Sequence, residues 1–456
     1  MLLRFRVANV RSLRNEQELS FVAPEDSERE RAAARELALS DGSRLPVHTV
    51  VAVFGANASG KSNVIAALKN MRHAVLRSYA DWTSYDGIPR DEFALDPKAA
   101  SETSLYEADF VLGNGVRWTY GFELGARRVE AEWLYAYPKG RRQVWFDRDA
   151  GRDKVFDFPG DRLHDRTRLA RTTRQDALLL TRAANDGHEQ LTPIFDWFKN
   201  NLWDVTPETE RTQREDYTAM KLLRSEGFRR RAEELLRVAD LGIVGVEVEQ
   251  SSSGRPLVQL IHAGGGERTA MDWSSESWGT RSWFALIGPL LLALDTGAVL
   301  LIDELDASLH SRFAAEVVRL FQAPWVNPKG AQLVFTGHDP SLLRTPGGGR
   351  LLEPGQLWLT EKDERGATEL SSVADWDPTD EEDLMASYLA GAFGAVPKVS
   401  EGQIGRRLVA HELAHVRVAG HGPEYWRLLG RALPECRRLK TELDELGRRV
   451  WMGDLA

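Results

Sequence analysis

Residues 55–62, GANASGKS, have the types and spacing of a phosphate-binding loop, G-x-x-x-x-G-K-[ST]. In such a loop the glycines let backbone N–H groups face phosphate oxygens. Lys61 would reach the β- and γ-phosphates of a nucleotide, and the Ser62 hydroxyl would hold Mg²⁺. The alternative is an ordinary Gly/Ser turn before a helix. The residues predicted to bind the nucleotide here are Gly55, Asn57, Ser59, Gly60, Lys61, Ser62 and Asn63.

The flanking elements must place this motif between a strand and a helix. The apolar, β-branched run at residues 49–54 predicts a buried strand. Val64, Ile65, Leu68 and Met71 recur at helical spacing, which predicts a helix from residue 63 to 71. The dipole at the N-terminus of that helix favours a bound anion. Strand, loop and helix together favour a phosphate site over a simple turn.

A second group of candidate residues begins at residues 276–281, ESWGTR, which open an apolar helix predicted to run through Leu294. At such a helix N-terminus, Ser277, Gly279 and Thr280 can donate hydrogen bonds to a γ-phosphate. The same Ser-x-Gly pattern also makes an ordinary N-cap.

Two carboxylates and a histidine follow in order. Residues 298–302 predict a buried strand that ends in Asp303 and Glu304. Asp303 suits the Mg²⁺ shell, and Glu304 suits polarisation of the attacking water, with two solvated acids as the alternative. Asp306 lies in the segment LDASLH that comes next and is a further predicted nucleotide-binding residue. A further predicted strand precedes His338, which is placed to contact the γ-phosphate, although a lone histidine is more often a packing residue.

This order of motifs resembles that of the cassette-type ATPases of the RecF/SMC/OLD clan, also classed as AAA ATPases. Within that clan it is most similar to a subgroup common in bacterial phage-defence and abortive-infection systems. The resemblance covers residues 1–397 and is carried by FRVANVRSL, GANASGKSN, ESWGT, LLIDELDASLH, FTGHDPSLL, QLWLTEKD and YLAGAFGAVP.

The resemblance implies an α/β fold, an ABC-type P-loop NTPase head with an antiparallel β lobe and a helical insertion. It implies ATP and Mg²⁺ as cofactors, with Lys61, Glu304 and His338 as catalytic residues. It also implies a head-to-tail homodimer, or a higher oligomer formed through the same sites. ATP would lie between the phosphate loop of one subunit and the signature, residues 276–281, of the other. The sequence departs from the pattern of this clan at two points. Trp278 lies in the signature where small or polar residues are usual, and no glutamine can be assigned to the Q-loop.

The length of 456 residues predicts two or three domains. Alternating apolar residues with Gly and Asn turns between residues 103 and 156 predict an antiparallel meander. Residues 1–23 predict a strand pair at a sheet edge, and residues 25–43 a surface helix or loop. The predicted division is an N-terminal ATPase lobe (1–159), a helical insertion (160–244), a C-terminal ATPase lobe (245–397) and a helical tail (398–456).

Composition restricts the functional classes. With 59 basic and 68 acidic residues, the chain is not coated for nucleic-acid binding, although a local basic groove stays possible. The single cysteine, Cys436, excludes an internal disulfide framework and favours a reducing cytoplasm. No apolar run is long enough to span a membrane, and the N-terminus lacks a signal-peptide pattern. We therefore expect a cytoplasmic protein with no membrane span.

The tail carries a second motif, HELAH at residues 411–415. H-E-x-x-H on a helix puts His411 and His415 one turn apart, where both can bind Zn²⁺ with Glu412 as general base and His421 as third ligand. The tail resembles YgjP-like metallopeptidases related to the WLM and SprT families, but the strand segment that precedes this motif in those enzymes is not found. The resemblance thus favours metal binding over peptidase activity, and a helical tail with exposed histidines is the alternative.

Three functions are consistent with these patterns. The leading hypothesis is an ATP-driven molecular switch in anti-phage defence that controls an effector such as a nuclease or toxin. The second is a DNA-repair or recombination ATPase, and the third is an ATP-regulated zinc metallopeptidase.

Overall fold

The computed structural model describes residues 1–25, 27–205, 211–239, 242–264, 267–307, 309–396 and 423–432. The chain divides into two compact units, Met1–Val396 and Pro397–Ala456. In the second unit, the described residues form one helix.

In the described residues the chain forms eighteen strands: β1 (Leu2–Ala8), β2 (Gln17–Ser20), β3 (Arg35–Ala38), β4 (Arg44–Val47), β5 (Val50–Gly55), β6 (Ser104–Val111), β7 (Arg117–Leu124), β8 (Val129–Tyr137), β9 (Gln143–Asp149), β10 (Phe156–Asp157), β11 (Leu202–Val205), β12 (Ile243–Gln250), β13 (Pro256–Gly264), β14 (Glu267–Asp272), β15 (Val299–Ile302), β16 (Gln332–Thr336), β17 (Leu357–Lys362) and β18 (Thr368–Ser372).

The α-helices of the same residues are α1 (Glu28–Ala33), α2 (Lys61–Asp81), α3 (Arg166–Thr172), α4 (Leu179–Asn185), α5 (Thr192–Asn201), α6 (Arg211–Arg224), α7 (Glu226–Ala239), α8 (Trp278–Thr296), α9 (Ser311–Gln322), α10 (Leu384–Leu389) and α11 (Pro423–Ala432).

A six-stranded sheet of order β11-β15-β16-β5-β17-β18 forms the centre of the first unit. Its first five strands run parallel, and β18 returns antiparallel to β17. All six residues of β5 and all five of β16 are buried, as is typical of parallel strands covered on both faces. Because the carboxyl ends of parallel strands meet at one edge, the segments after β5, β15, β16 and β17 converge there.

A seven-stranded antiparallel sheet of order β10-β9-β8-β7-β6-β1-β2 forms the lobe beside it. The meander predicted for residues 103–156 is present as β6 to β10. The predicted pair β1–β2 also forms, but β1 lies inside the sheet because its other side pairs with β6. The α/β P-loop NTPase head with an antiparallel β lobe is thus confirmed.

Among its described residues, the segment predicted as a helical insertion, residues 160–244, contains five α-helices and, apart from the start of β12, one strand. That strand, β11, pairs in parallel with β15 and forms an edge of the central sheet. The segment expected to be a surface helix or loop, residues 25–43, contains the short helix α1 and the strand β3, which pairs with β4. The four-part domain division stays a prediction.

A buried carboxylate joins the antiparallel lobe to the helices of residues 160–244. Glu132 on β8 is fully buried and accepts hydrogen bonds from the backbone N–H groups of Leu179 (2.7 Å) and Leu180 (3.0 Å) at the start of α4. The Tyr120 hydroxyl donates to it at 3.0 Å, and Arg148 lies 3.6 Å away. Burial raises the pKa of Glu132, and the Arg148 charge opposes that shift. Glu132 therefore caps α4 from inside the lobe.

None of the helices in the described part of the chain is long and apolar enough to cross a membrane.

Candidate functional site

The predicted phosphate-binding loop connects β5 to α2 at the carboxyl edge of the central sheet. Gly55 and Gly60 have φ of 152° and 111°, and Gly60 precedes α2 without a side-chain cap. A Cβ atom at Gly55 would meet the backbone and hydroxyl of Thr360, and one at Gly60 would meet the Thr368 hydroxyl. Glycine is therefore required at both positions by space as well as by backbone conformation. The uncapped N–H groups at the start of α2 suit an anion.

Hydroxyl groups of segments that are distant in the sequence form hydrogen bonds that hold the loop in place. The Ser59 and Thr360 hydroxyls lie 2.6 Å apart, and the Thr368 hydroxyl lies 2.7 Å from the Ser59 carbonyl. Thr368 also lies 2.7 Å from the Ser12 hydroxyl, to which the Asn63 amide donates at 2.6 Å. Sequence reasoning missed Ser12, Thr360 and Thr368. A threonine within an apolar strand was the available signal.

An aromatic side chain supports the end of β5. Tyr388 on α10 is almost fully buried and meets the Phe54 ring edge-on, with 6.1 Å between ring centroids. Its hydroxyl faces the backbone of Gly55, and burial raises the pKa of this phenol.

Lys61, the first residue of α2, folds back onto the loop. Its ammonium donates to the carbonyls of Gly55 (2.8 Å) and Ala56 (3.0 Å). The side chain is buried, and this desolvation lowers the pKa of Lys61, whereas the carboxylates of Glu304, Asp306 and Asp303 oppose the shift. A lysine held by neutral carbonyls in a partly desolvated place is suited to exchange them for phosphate oxygens.

A single threonine contacts both of the acidic residues that follow β15, each in a different way. The Thr336 hydroxyl donates to Asp303 at 2.6 Å and accepts from the backbone N–H of Glu304 at 2.7 Å. Asp303 is therefore fixed against β16, whereas Glu304 is exposed and has a left-handed backbone with φ of 54°. Such a conformation is costly for glutamate and is common at functional sites. The Glu304 side chain lines the cleft described below.

Asp306 positions the histidine loop. Its carboxylate accepts from the backbone N–H groups of His338 (2.7 Å) and Asp339 (2.5 Å). The His338 imidazole Nε2 lies 3.4 Å from a carboxylate oxygen of Glu304. Asp306 thus acts here through the backbone of the loop that carries His338.

These elements enclose an open cleft of about 690 Å³, within the size range of small-molecule sites. Its lining residues are Asn57, Ala58, Gly60, Lys61, Ser62, Asn63, Glu304, His338 and Lys362. Seven of these were predicted from the sequence, and Lys362 at the end of β17 was not assigned a role. Gly55, Ser59, Asp303 and Asp306 lie around the cleft without lining it. No glutamine lines the cleft within the described residues, so the Q-loop stays unassigned.

The predicted signature does not line the cleft of its own subunit. Ser277 caps α8, accepting from the Thr280 N–H at 3.1 Å, and the two hydroxyls lie 2.8 Å apart. The ordinary N-cap is therefore present in this chain. The role of Ser277, Gly279 and Thr280 as phosphate contacts remains a prediction. Trp278 is 56% exposed and stacks on Arg211, whose guanidinium carbon lies 3.6 Å from the ring centroid.

Of the two predicted metal sites, only the magnesium site lies within the described residues. No group of three or more His, Cys, Asp or Glu side chains suited to a metal ion occurs among the described residues. Ser62 and Asp303 supply the oxygen donors that Mg²⁺ prefers, with phosphate and water to complete its shell. The predicted zinc ligands His411, His415 and His421, and Glu412, lie outside the described residues.

The model of a family described as AAA domain, putative AbiEii toxin, Type IV TA system matches residues 50–344. The chain belongs to this AAA family. The AAA match begins at β5 and ends beyond His338, so it spans the loop, the signature, both carboxylates and the histidine. In the tail, residues 403–446 match a YgjP-like metallopeptidase domain.

Solved structures similar to this AAA protein include SMC heads. An SmcHead bound to the C-winged helix domain of ScpA has 12% identity and a TM-score of 0.40, with 81% of this chain and 97% of that chain covered. The SMC head domain from Thermotoga maritima has 15% identity and a TM-score of 0.40, with 81% and 98% covered. An Smc head with an extended coiled coil, bound to the C-terminal domain of ScpA derived from Pyrococcus furiosus, has 13% identity and a TM-score of 0.39, with 81% and 96% covered. No curated protein matches the chain.

The brace behind the loop gives a testable prediction. Thr368→Val keeps the side-chain shape but removes the hydroxyl beside Ser59 and Ser12. We expect the Kd for ADP, measured by calorimetry, to rise about three- to tenfold, because loss of a buried hydrogen bond loosens the loop. Thr368→Ser keeps the hydroxyl and should stay close to the wild type. Equal affinities of the valine variant and the wild type would contradict a bracing role.

Proposed function

We propose that this AAA protein is an ATP-hydrolysing molecular switch. The observation that carries the proposal is the convergence of Lys61, Glu304 and His338 in one cleft, although they follow three different strands of the sheet. This arrangement offers a cation for phosphate, a carboxylate for water and an imidazole near both. Phosphoryl transfer requires little else beyond positioning and charge stabilisation.

In the proposed cycle each side chain has a separate task. Lys61 leaves the carbonyls of Gly55 and Ala56 and binds the β- and γ-phosphates. Glu304 accepts a hydrogen bond from the attacking water, and His338, 3.4 Å from Glu304, contacts the γ-phosphate. Ser62 and Asp303 would hold Mg²⁺, which neutralises charge on the phosphate oxygens when it is bound.

Replacement of the proposed water-activating carboxylate separates binding from turnover. Glu304→Gln keeps the length of the side chain but removes its charge, so we expect at least about a hundredfold loss of ATP hydrolysis with ATP still bound. Phosphate release and nucleotide binding measure the two effects. Glu316→Gln, an exposed pair with Arg319 on α9, is the matched control. Unchanged hydrolysis in the Glu304 variant would refute the assignment.

The signature supports a site shared between two copies of the chain. Its helix N-terminus does not line the cleft of its own subunit, and Trp278 beside it is exposed. We propose that ATP closes a head-to-tail homodimer in which Ser277, Gly279 and Thr280 of one copy face the γ-phosphate bound by the other. Each cleft is then half of a site.

Mixing two inactive variants tests this sharing. Lys61→Ala damages the loop, whereas Ser277→Asp keeps an N-capping side chain but opposes the partner's phosphate with a negative charge. Half of the dimers in an equal mixture have one intact and one doubly damaged site, so about a quarter of wild-type activity should return. Lys61 and Glu304 contribute to the same half of a site, so a dimer of Lys61→Ala with Glu304→Gln has one damaged residue in each of its two sites and should recover nothing. Failure of the first mixture to recover would argue against a shared site.

The biological setting is proposed from the family. Its description names a putative AbiEii toxin of a type IV toxin–antitoxin system. We propose that the switch acts in the cytoplasm, in anti-phage defence, and that ATP-driven closure controls an effector. The chain's own tail is one candidate effector, because its sequence matches a YgjP-like metallopeptidase domain.

The tail is proposed to bind zinc through His411 and His415, with His421 as third ligand. We expect about one zinc per chain by metal analysis and loss of that metal in a His411→Ala/His415→Ala variant. Glu412→Gln should retain zinc, since the glutamate serves as base rather than ligand. His262→Ala, remote in sequence from the motif, is the control. Absence of zinc from wild-type protein purified without chelators would contradict the proposal.

A further inference from the structure

We propose that Lys362 binds the α-phosphate of the nucleotide, so that it contacts ATP and ADP alike. The inference rests on the proposed nucleotide site. It adds a residue to which the sequence motifs assign no role. Lys362 is the last residue of β17 and lines the cleft together with Lys61, Ser62 and Asn63.

The strand register points Lys362 at the loop. Successive side chains of a strand alternate between faces, so Thr360 and Lys362 share one face of β17. That face contacts the loop, because the Thr360 hydroxyl lies 2.6 Å from the Ser59 hydroxyl. On β18, Thr368 pairs directly with Lys362 and lies 2.7 Å from the Ser59 carbonyl. Lys362 thus lies on the same face of the β17–β18 hairpin as Thr360 and Thr368, the two side chains that contact the loop.

The strand order assigns Lys362 to one end of the cleft. Glu304 follows β15 and His338 follows β16, both on one side of β5, whereas β17 lies on the other side. With the γ-phosphate at Glu304 and His338, the phosphate chain runs across the loop toward β17. The anionic group nearest to Lys362 is then the α-phosphate.

The charge of Lys362 is available for a ligand. Its side chain is exposed, and among the described residues its ammonium has no hydrogen-bond or ion-pair partner. The neighbouring carboxylate of Asp363 instead accepts from the backbone N–H groups of Arg365 and Ala367, both at 2.8 Å. Lys61, by contrast, is held by two carbonyls. Of the described lysines that line the cleft, Lys61 is therefore restrained and Lys362 is free.

Calorimetry with ADP and a non-hydrolysable ATP analogue tests the assignment. Lys362→Ala should weaken both ligands by a similar factor, roughly tenfold, because both carry the α-phosphate. Lys362→Arg, which keeps the charge, should stay within about threefold of the wild type. His338→Ala should weaken the ATP analogue more than ADP. Lys139→Ala, an exposed lysine in the turn after β8, is the control for loss of one positive charge.

Three results would overturn the inference. Affinities of Lys362→Ala equal to those of Lys139→Ala would make Lys362 a solvated surface lysine. Loss of affinity for the ATP analogue alone would move the contact to the γ-phosphate. Equal losses in the alanine and arginine variants would show that its charge is not what binds. Wild-type protein that binds neither ligand would instead refute the proposed function itself.

Discussion

The closeness of the phosphate-binding loop to the β17–β18 hairpin is the constraint on which this molecule depends. At Gly55 and Gly60 a single added carbon would meet Thr360 or Thr368. The loop is therefore clamped from behind by segments that lie some three hundred residues later in the chain. The hydroxyl groups of Thr360 and Thr368 contact Ser59 and hold the loop in this position. A rigid loop of this kind lowers the cost of ordering a bound anion.

The parallel sheet brings the other residues of the candidate site to this loop. Strands β5, β15, β16 and β17 end at one edge, so residues far apart in sequence meet there without any long connection. Thr336 adds a finer adjustment, since one hydroxyl fixes Asp303 and supports the left-handed turn at Glu304. Two adjacent carboxylates thereby obtain different surroundings. One is held against the sheet and the other faces the cleft.

The sequence predicts those candidate residues whose identity follows a local pattern. The loop, the carboxylate pair and His338 each follow an apolar strand, and β5, β15 and β16 formed where the apolar runs predicted them. It missed β11, since a four-residue strand within a charged helical stretch has no periodicity of its own. It also missed Ser12, Thr360 and Thr368, because their contacts depend on strand register across more than three hundred residues. The signature residues formed a helix cap that local sequence predicts equally well with or without a nucleotide.

Tyr388 lies near the end of the first compact unit, Met1–Val396. Its ring supports Phe54 at the end of β5, and the helix that carries it comes only eight residues before the second unit begins. The boundary suited to gene fusion is therefore Val396 rather than the last strand, β18. A different tail joined at residue 397 would leave every described contact of the loop in place. A junction before α10 would remove the aromatic support beneath Gly55, which restricts how such modules can be recombined during evolution.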